Sequence, residues 1–135
     1  MKTLIAIMIL AALGLAGCST TPILMSQAQE IPSHEKQNYI NPTPNSGHIV
    51  VVRDSGTAGS ACMPDVYLNG VLVANSLTEG GKLDFYPPAG NYILSTATFC
   101  GKGSTPLAIT VVPNQIQIFD LGLRHGTFIL IPANN

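Results

Sequence analysis

Three cysteines, three histidines and seven carboxylates are the side chains through which this chain of 135 residues could do chemistry. Catalysis needs a nucleophile or a metal with oriented partners, and the spacing of these residues offers little of either. His34 sits in His34-Glu35-Lys36, a stretch that reads as a solvated patch. His48 opens a β-branched run and would need the fold to bring it to Asp54 or Asp120. His125 lies in the turn Arg124-His125-Gly126. No His-Glu-x-x-His, Gly-x-Ser-x-Gly or Walker-type pattern is present. Gly56-Thr57-Ala58-Gly59-Ser60 is glycine-rich but lacks the lysine and the following helix of a phosphate loop, so it reads as a surface loop. No Cys-x-x-Cys supports a thioredoxin-type redox role. The expectation is therefore no catalytic residue, no metal and no cofactor. The enzymatic alternative would be a pocket around His48 and His125.

The third cysteine, Cys18, has a different context. Lys2 gives a short positive region, and residues 4–15 form an apolar run of about a dozen residues. That is too short for a spanning helix, which takes roughly 20 residues, and it matches the apolar core of a secretory signal. The run ends Leu15-Ala16-Gly17-Cys18, which resembles a bacterial lipobox. Small residues at 16 and 17 fit a narrow peptidase groove, and the thiol can take a diacylglycerol thioether. The resemblance implies a signal peptide over residues 1–17 and a lipidated Cys18, with palmitate-type acyl chains holding the protein to a membrane. One acyl chain holds weakly, and two or three hold durably. Ser19, a non-acidic residue after the cysteine, implies transport to the outer membrane.

Composition narrows the partners. Six Lys plus Arg against seven Asp plus Glu leave no basic excess, which disfavours nucleic acid. Charged residues make up 10% of the chain, too few for long solvated helices. Residues 18–47 hold Pro22, Pro32, Pro42 and Pro44 among polar residues with no sustained apolar period, and read as a flexible tether.

Residues 48–135 read as short strands. His48-Ile49-Val50-Val51-Val52-Arg53 is β-branched, and its continuous apolar middle suggests a central position. Asn69-Gly70 between Asp65-Val66-Tyr67-Leu68 and Val71-Leu72-Val73-Ala74 supplies a type I′ hairpin turn. Further strands are expected over 83–86, 91–97, 107–112, 115–121 and 127–131, the seventh with Ile116, Ile118 and Leu121 facing inward. Phe85, Phe99, Phe119, Phe128 and the tyrosines 67, 86 and 92 are expected in or beside the core. Eight candidate strands without an amphipathic helix predict an all-β fold, an antiparallel β-sandwich of immunoglobulin or transthyretin type. Cys62 and Cys100 remain once Cys18 is lipidated, and an oxidising periplasm would join them in a disulfide. Arg53, beside Asp54 at the end of the first strand, is a candidate partner contact.

Three features come in order: Ile49-Val50-Val51-Val52-Arg53, then Val66-Tyr67-Leu68-Asn69-Gly70, then Pro87-Pro88-Ala89-Gly90-Asn91-Tyr92. Together they resemble the small Gram-negative lipoproteins of the domain of unknown function 2846. The resemblance covers roughly residues 47–121, and the pair Cys62 and Cys100 departs from it. It implies a fold and an address rather than a mechanism.

The expected function is that of a lipid-anchored envelope protein that binds or scaffolds. It would sit at the outer membrane, facing the periplasm or the cell surface, with a protein partner of the envelope. Loops 54–64, 76–82 and 98–106 are the expected contact surface, since a rigid sandwich presents its loops at its ends. The alternatives are an inhibitor or immunity lipoprotein that blocks a cell-wall-degrading enzyme or toxin, and an accessory lipoprotein of a secretion or conjugation apparatus.

Overall fold

A computed structural model describes residues 19–101 and 103–134. Among these residues nine strands follow in chain order: β1 (Gln29–Glu30), β2 (His48–Arg53), β3 (Asp65–Leu68), β4 (Val71–Ala74), β5 (Gly81–Phe85), β6 (Gly90–Ala97), β7 (Leu107–Val111), β8 (Ile116–Arg124) and β9 (Thr127–Ala133). Eight of them are the strands expected from the sequence. They form two sheets, ordered β1-β5-β2-β8-β9 and β4-β3-β6-β7, packed as an all-β sandwich.

Local chemistry explains the elements. Asn69 and Gly70 adopt φ of 50° and 75°, as a type I′ turn requires, and the β3–β4 hairpin closes there. β5 alternates Gly81, Leu83 and Phe85 inward with Lys82 and Asp84 outward. β2 is the central strand of its sheet, and Ile49, Val50, Val51 and Val52 are all at 0% exposure. Ile49 and Val51 join the core between the sheets, with Leu68, Phe85, Leu94, Phe119 and Leu121. Most pairings are antiparallel, but β2 and β8 run parallel, with Ile49 opposite Gln117 and Arg53 opposite Leu121. The turn after β7 carries the chain across to the first sheet at the end where β2 begins. There the His48 amide donates to the Gln115 carbonyl, and the Asn114 amide donates to that of Ser46.

β8 turns Ile116 and Ile118 away from the core, against expectation, while Leu121 faces inward as expected. Phe119, Leu121 and Leu123 face the core, while Ile116 is 51% exposed and lies with Ile118 on the opposite face. Alternation fixes which residues share a face but not which face turns inward. Here the phenyl ring and two leucines fill the space between the sheets. Phe99 also departs from expectation, at 81% exposure.

The stretch expected as a flexible tether lies along the sandwich instead. β1 pairs in parallel with β5, and Ile31 is buried in the core. The Gln37 amide donates to the Val73 carbonyl, that of Tyr86 to Tyr39, and that of Ala89 to Asn45. These are mainly backbone contacts, which demand no side-chain period, so a strap of this kind looks like a linker in sequence. No helix among the described residues is long and apolar enough to cross a membrane.

Candidate functional site

β2, β6 and β8 end, and β3, β5 and β9 begin, at one end of the sandwich. Loops 54–64 and 76–80, residues 98–101 and 103–106, and the β8–β9 turn therefore gather there. Arg53 organises this end from inside. Its side chain is 1% exposed, Nη1 donates to the Leu77 carbonyl at 2.7 Å, and Nη2 donates to the Gly59 carbonyl at 2.7 Å. The guanidinium also lies over the Phe128 ring, 5.4 Å from its centre. Burial pulls its pKa below the ordinary value, and the charges of Glu79 and Asp54 pull the other way. Arg53 is thus not a surface contact as expected: two carbonyls and an aromatic face hold it within the fold. The Cys62–Cys100 disulfide, with Cα atoms 5.5 Å apart, pins two of the loops together as the sequence led us to expect.

A second cluster fixes the start of the described chain at the same end. Thr20 Oγ1 donates to Asp54 Oδ2 at 3.0 Å, and Arg124 Nη1 donates to the same oxygen at 2.8 Å. The Thr20 amide donates to the Leu123 carbonyl, and the Leu123 amide donates to Thr20 Oγ1. Thr21 and Ser55 exchange a pair of backbone hydrogen bonds at 2.9 Å. Asp54 Oδ1 and Asp120 Oδ1 are buried without a hydrogen-bond partner. Burial and the neighbouring Asp54 charge push the Asp120 carboxyl up, against the pull of Arg124. Gly122 makes room for this cluster, since a Cβ there would come within 2.5 Å of Asp54 Oδ2 and 2.6 Å of Arg124 Nη1. Gly122→Ala is expected to displace Arg124 and release Thr20, lowering stability by about 1–2 kcal/mol. Faster hydrogen exchange at the Thr20, Thr21 and Ser55 amides, with the core unchanged, is the readout.

The histidines stay apart. His48 Nε2 lies 2.6 Å from Asp84 Oδ1, not near Asp54 or Asp120 as considered above, and its ring stacks on Tyr86 at 4.7 Å. His48 lies beside the start of β8 and His125 just past its end, so the nine residues of the strand separate them by roughly 26 Å. A shared His48–His125 pocket does not form. His34 and Glu35 make a surface pair at 3.4 Å. Among the described residues no group of three or more His, Cys, Asp or Glu is placed to hold a metal ion.

Burial works against the Asp84 charge, but hydrogen bonds with His48 and Glu30 and the nearby Lys82 ammonium outweigh it. The carboxyl is held below its ordinary pKa. A lowered folded-state pKa gives stability that is complete above the unfolded value, about 3.9, and is lost as pH falls through the folded one. Asp84→Asn is expected to cost about 1 kcal/mol at pH 7. The gap between the thermal melts of the two proteins should start to narrow below about pH 4 and close only beneath the lowered Asp84 pKa.

The opposite end and flank carry a different feature. The second sheet stops at β7, one strand short of covering β9. The inward residues of β9 record this: Phe128 is buried, Leu130 half-buried and Pro132 exposed. The result is a groove of about 690 Å³ between β7 and the β8–β9 pair, lined by Leu107, Ile109, Ile116, Phe119 and Pro132 among others, with no charged side chain among the described residues. β7 has a strand on one side only, so the outward main-chain groups of Ala108 and Thr110 face the groove. One of them, the Thr110 carbonyl, accepts from Gln117 Nε2 at 2.7 Å. The sequence hid this site, because an edge strand and a central strand share the same alternation.

Compared with known proteins, the chain matches no family model, and no curated protein is similar enough to count as a relative.

Proposed function

We propose that the chain is a lipid-anchored envelope protein that works by binding a protein partner, without catalysis. The lipobox-like Leu15-Ala16-Gly17-Cys18 supports the anchor, and the Cys62–Cys100 disulfide fits an oxidising compartment such as the periplasm. The order of strand and turn motifs that resembles the domain of unknown function 2846 supports an address at the outer membrane. The observation that carries the binding role is the uncharged groove beside the open edge of β7. Unpaired main-chain groups at a sheet edge recognise another main chain, and apolar walls select uncharged side chains. The occupant is an extended, uncharged segment of another protein, added as the strand that the second sheet lacks.

Photo-crosslinking in intact cells tests this reading. A photoreactive residue at position 107 lines the groove, and one at Val71, on the far edge strand β4, serves as control. Position 107 is expected to capture one protein, through an extended neutral segment identified by mass spectrometry, and position 71 is not. Equal yields from both positions would overturn it, as would a hydrolytic activity of the purified protein that disappears in His48→Ala.

A further inference from the structure

The loops and the route to Cys18 share one end of the sandwich, and this has a consequence for what the loops touch. Thr20 is fixed by Asp54, Arg124 and Leu123, and Ser19 before it is exposed. Cys18 itself lies outside the described residues, but two residues of extended chain reach at most about 7 Å. Acyl chains on Cys18 would therefore bring a membrane surface against this end, not to the far side of a long tether.

That end is suited to such a surface. Phe99 is 81% exposed, on a turn closed by the Thr98–Gly101 bridge and the Cys100 disulfide. The turn stands beside Gly126 and Thr127, which follow the Leu123–Arg124 pair that holds Thr20. Met63, 39% exposed, lies next to the disulfide partner Cys62. An aromatic ring on a pinned turn loses little freedom on entering the headgroup region, where aromatic side chains concentrate. We propose that the loop end, led by Phe99, docks on the lipid surface that holds Cys18, so that residues 54–64, 98–101 and 103–106 face lipid rather than a protein. The β7 groove then opens at the flank and the far end, accessible to a partner.

This inference rests on the lipid anchor proposed above, and the test separates the two. The chain contains no tryptophan, so Phe99→Trp and Ile116→Trp each place a single tryptophan, excited apart from the tyrosines at 295 nm or longer, one towards either end of the sandwich. Both are made in the full-length precursor, purified from membranes and reconstituted into phosphatidylethanolamine–phosphatidylglycerol vesicles with or without bromine on the acyl chains. The Phe99→Trp protein is expected to emit at shorter wavelength and to lose most of its emission to brominated lipid, while Ile116→Trp keeps its own. Equal quenching at both positions, or none at either, in protein that floats with the vesicles would overturn the docking and leave the anchor standing. Protein that carries no acyl mass and stays at the bottom of the flotation gradient would overturn both.

Discussion

Replacing Cys62 and Cys100 together by serine lowers the thermal midpoint by roughly 15 °C. The disulfide closes a loop with a sequence separation of 38. In the chain-entropy treatment such a closure removes about 4 kcal/mol of freedom from the unfolded chain. A domain of this size shifts by about 4 °C for each kcal/mol, and its whole stability is only about 5–15 kcal/mol. The loss falls on the unfolded state, so the sheets should keep their far-ultraviolet circular dichroism below the new midpoint. Residues 54–64 and 98–101 should lose hydrogen-exchange protection first, because the bridge is their cross-tie. Reduction of the unaltered protein should reproduce the shift. A drop of under about 3 °C, with both thiols shown to be free, would mean that the bridge closes little entropy in this chain.

Arg53→Met is the second large effect. The methionine keeps much of the apolar stem but leaves the Leu77 carbonyl without its donor, while the Gly59 carbonyl keeps only the Cys62 amide. Each buried acceptor so stranded costs about 1–3 kcal/mol. Removing a desolvated charge returns part of that, but the contact with the Phe128 face is lost too, so the net loss is about 2 kcal/mol. Arg53→Lys should recover only a fraction, since a point-like ammonium cannot fork to two carbonyls while lying flat on Phe128. Urea denaturation of the three proteins measures both effects. A variant with unchanged stability and lost partner binding would return Arg53 to the surface role that its place at the end of β2 first suggested.

The fold was legible where local chemistry decides it. Asn69-Gly70 can hardly do other than turn, and the apolar run 49–52 demands a central strand buried on both faces. What could not be read depends on partners far apart in sequence. Asp84 reaches His48 only because β2 and β5 pair with Val50 opposite Asp84. Asp54 meets Arg124 only because β8 runs parallel to β2. Arg53 ends a strand exactly as a surface arginine would, and only the loops closing over it show that it is internal. Residues 19–47 looked like a linker because they pair largely through backbone groups, which leave no trace in side-chain pattern. The β7 groove is legible in neither composition nor period, since it arises from one sheet having fewer strands than the other.

Anchoring through Cys18 is the claim on which the address, the orientation and the access to the groove all depend. Intact-mass spectrometry of the protein extracted with detergent from the membranes of cells making the full-length chain tests it in one step. The account predicts a polypeptide that begins at Cys18 and carries a diacylglyceryl group and an amide-linked acyl chain. A chain that retains residues 1–17, or one cut elsewhere with Cys18 as a free thiol, would contradict it.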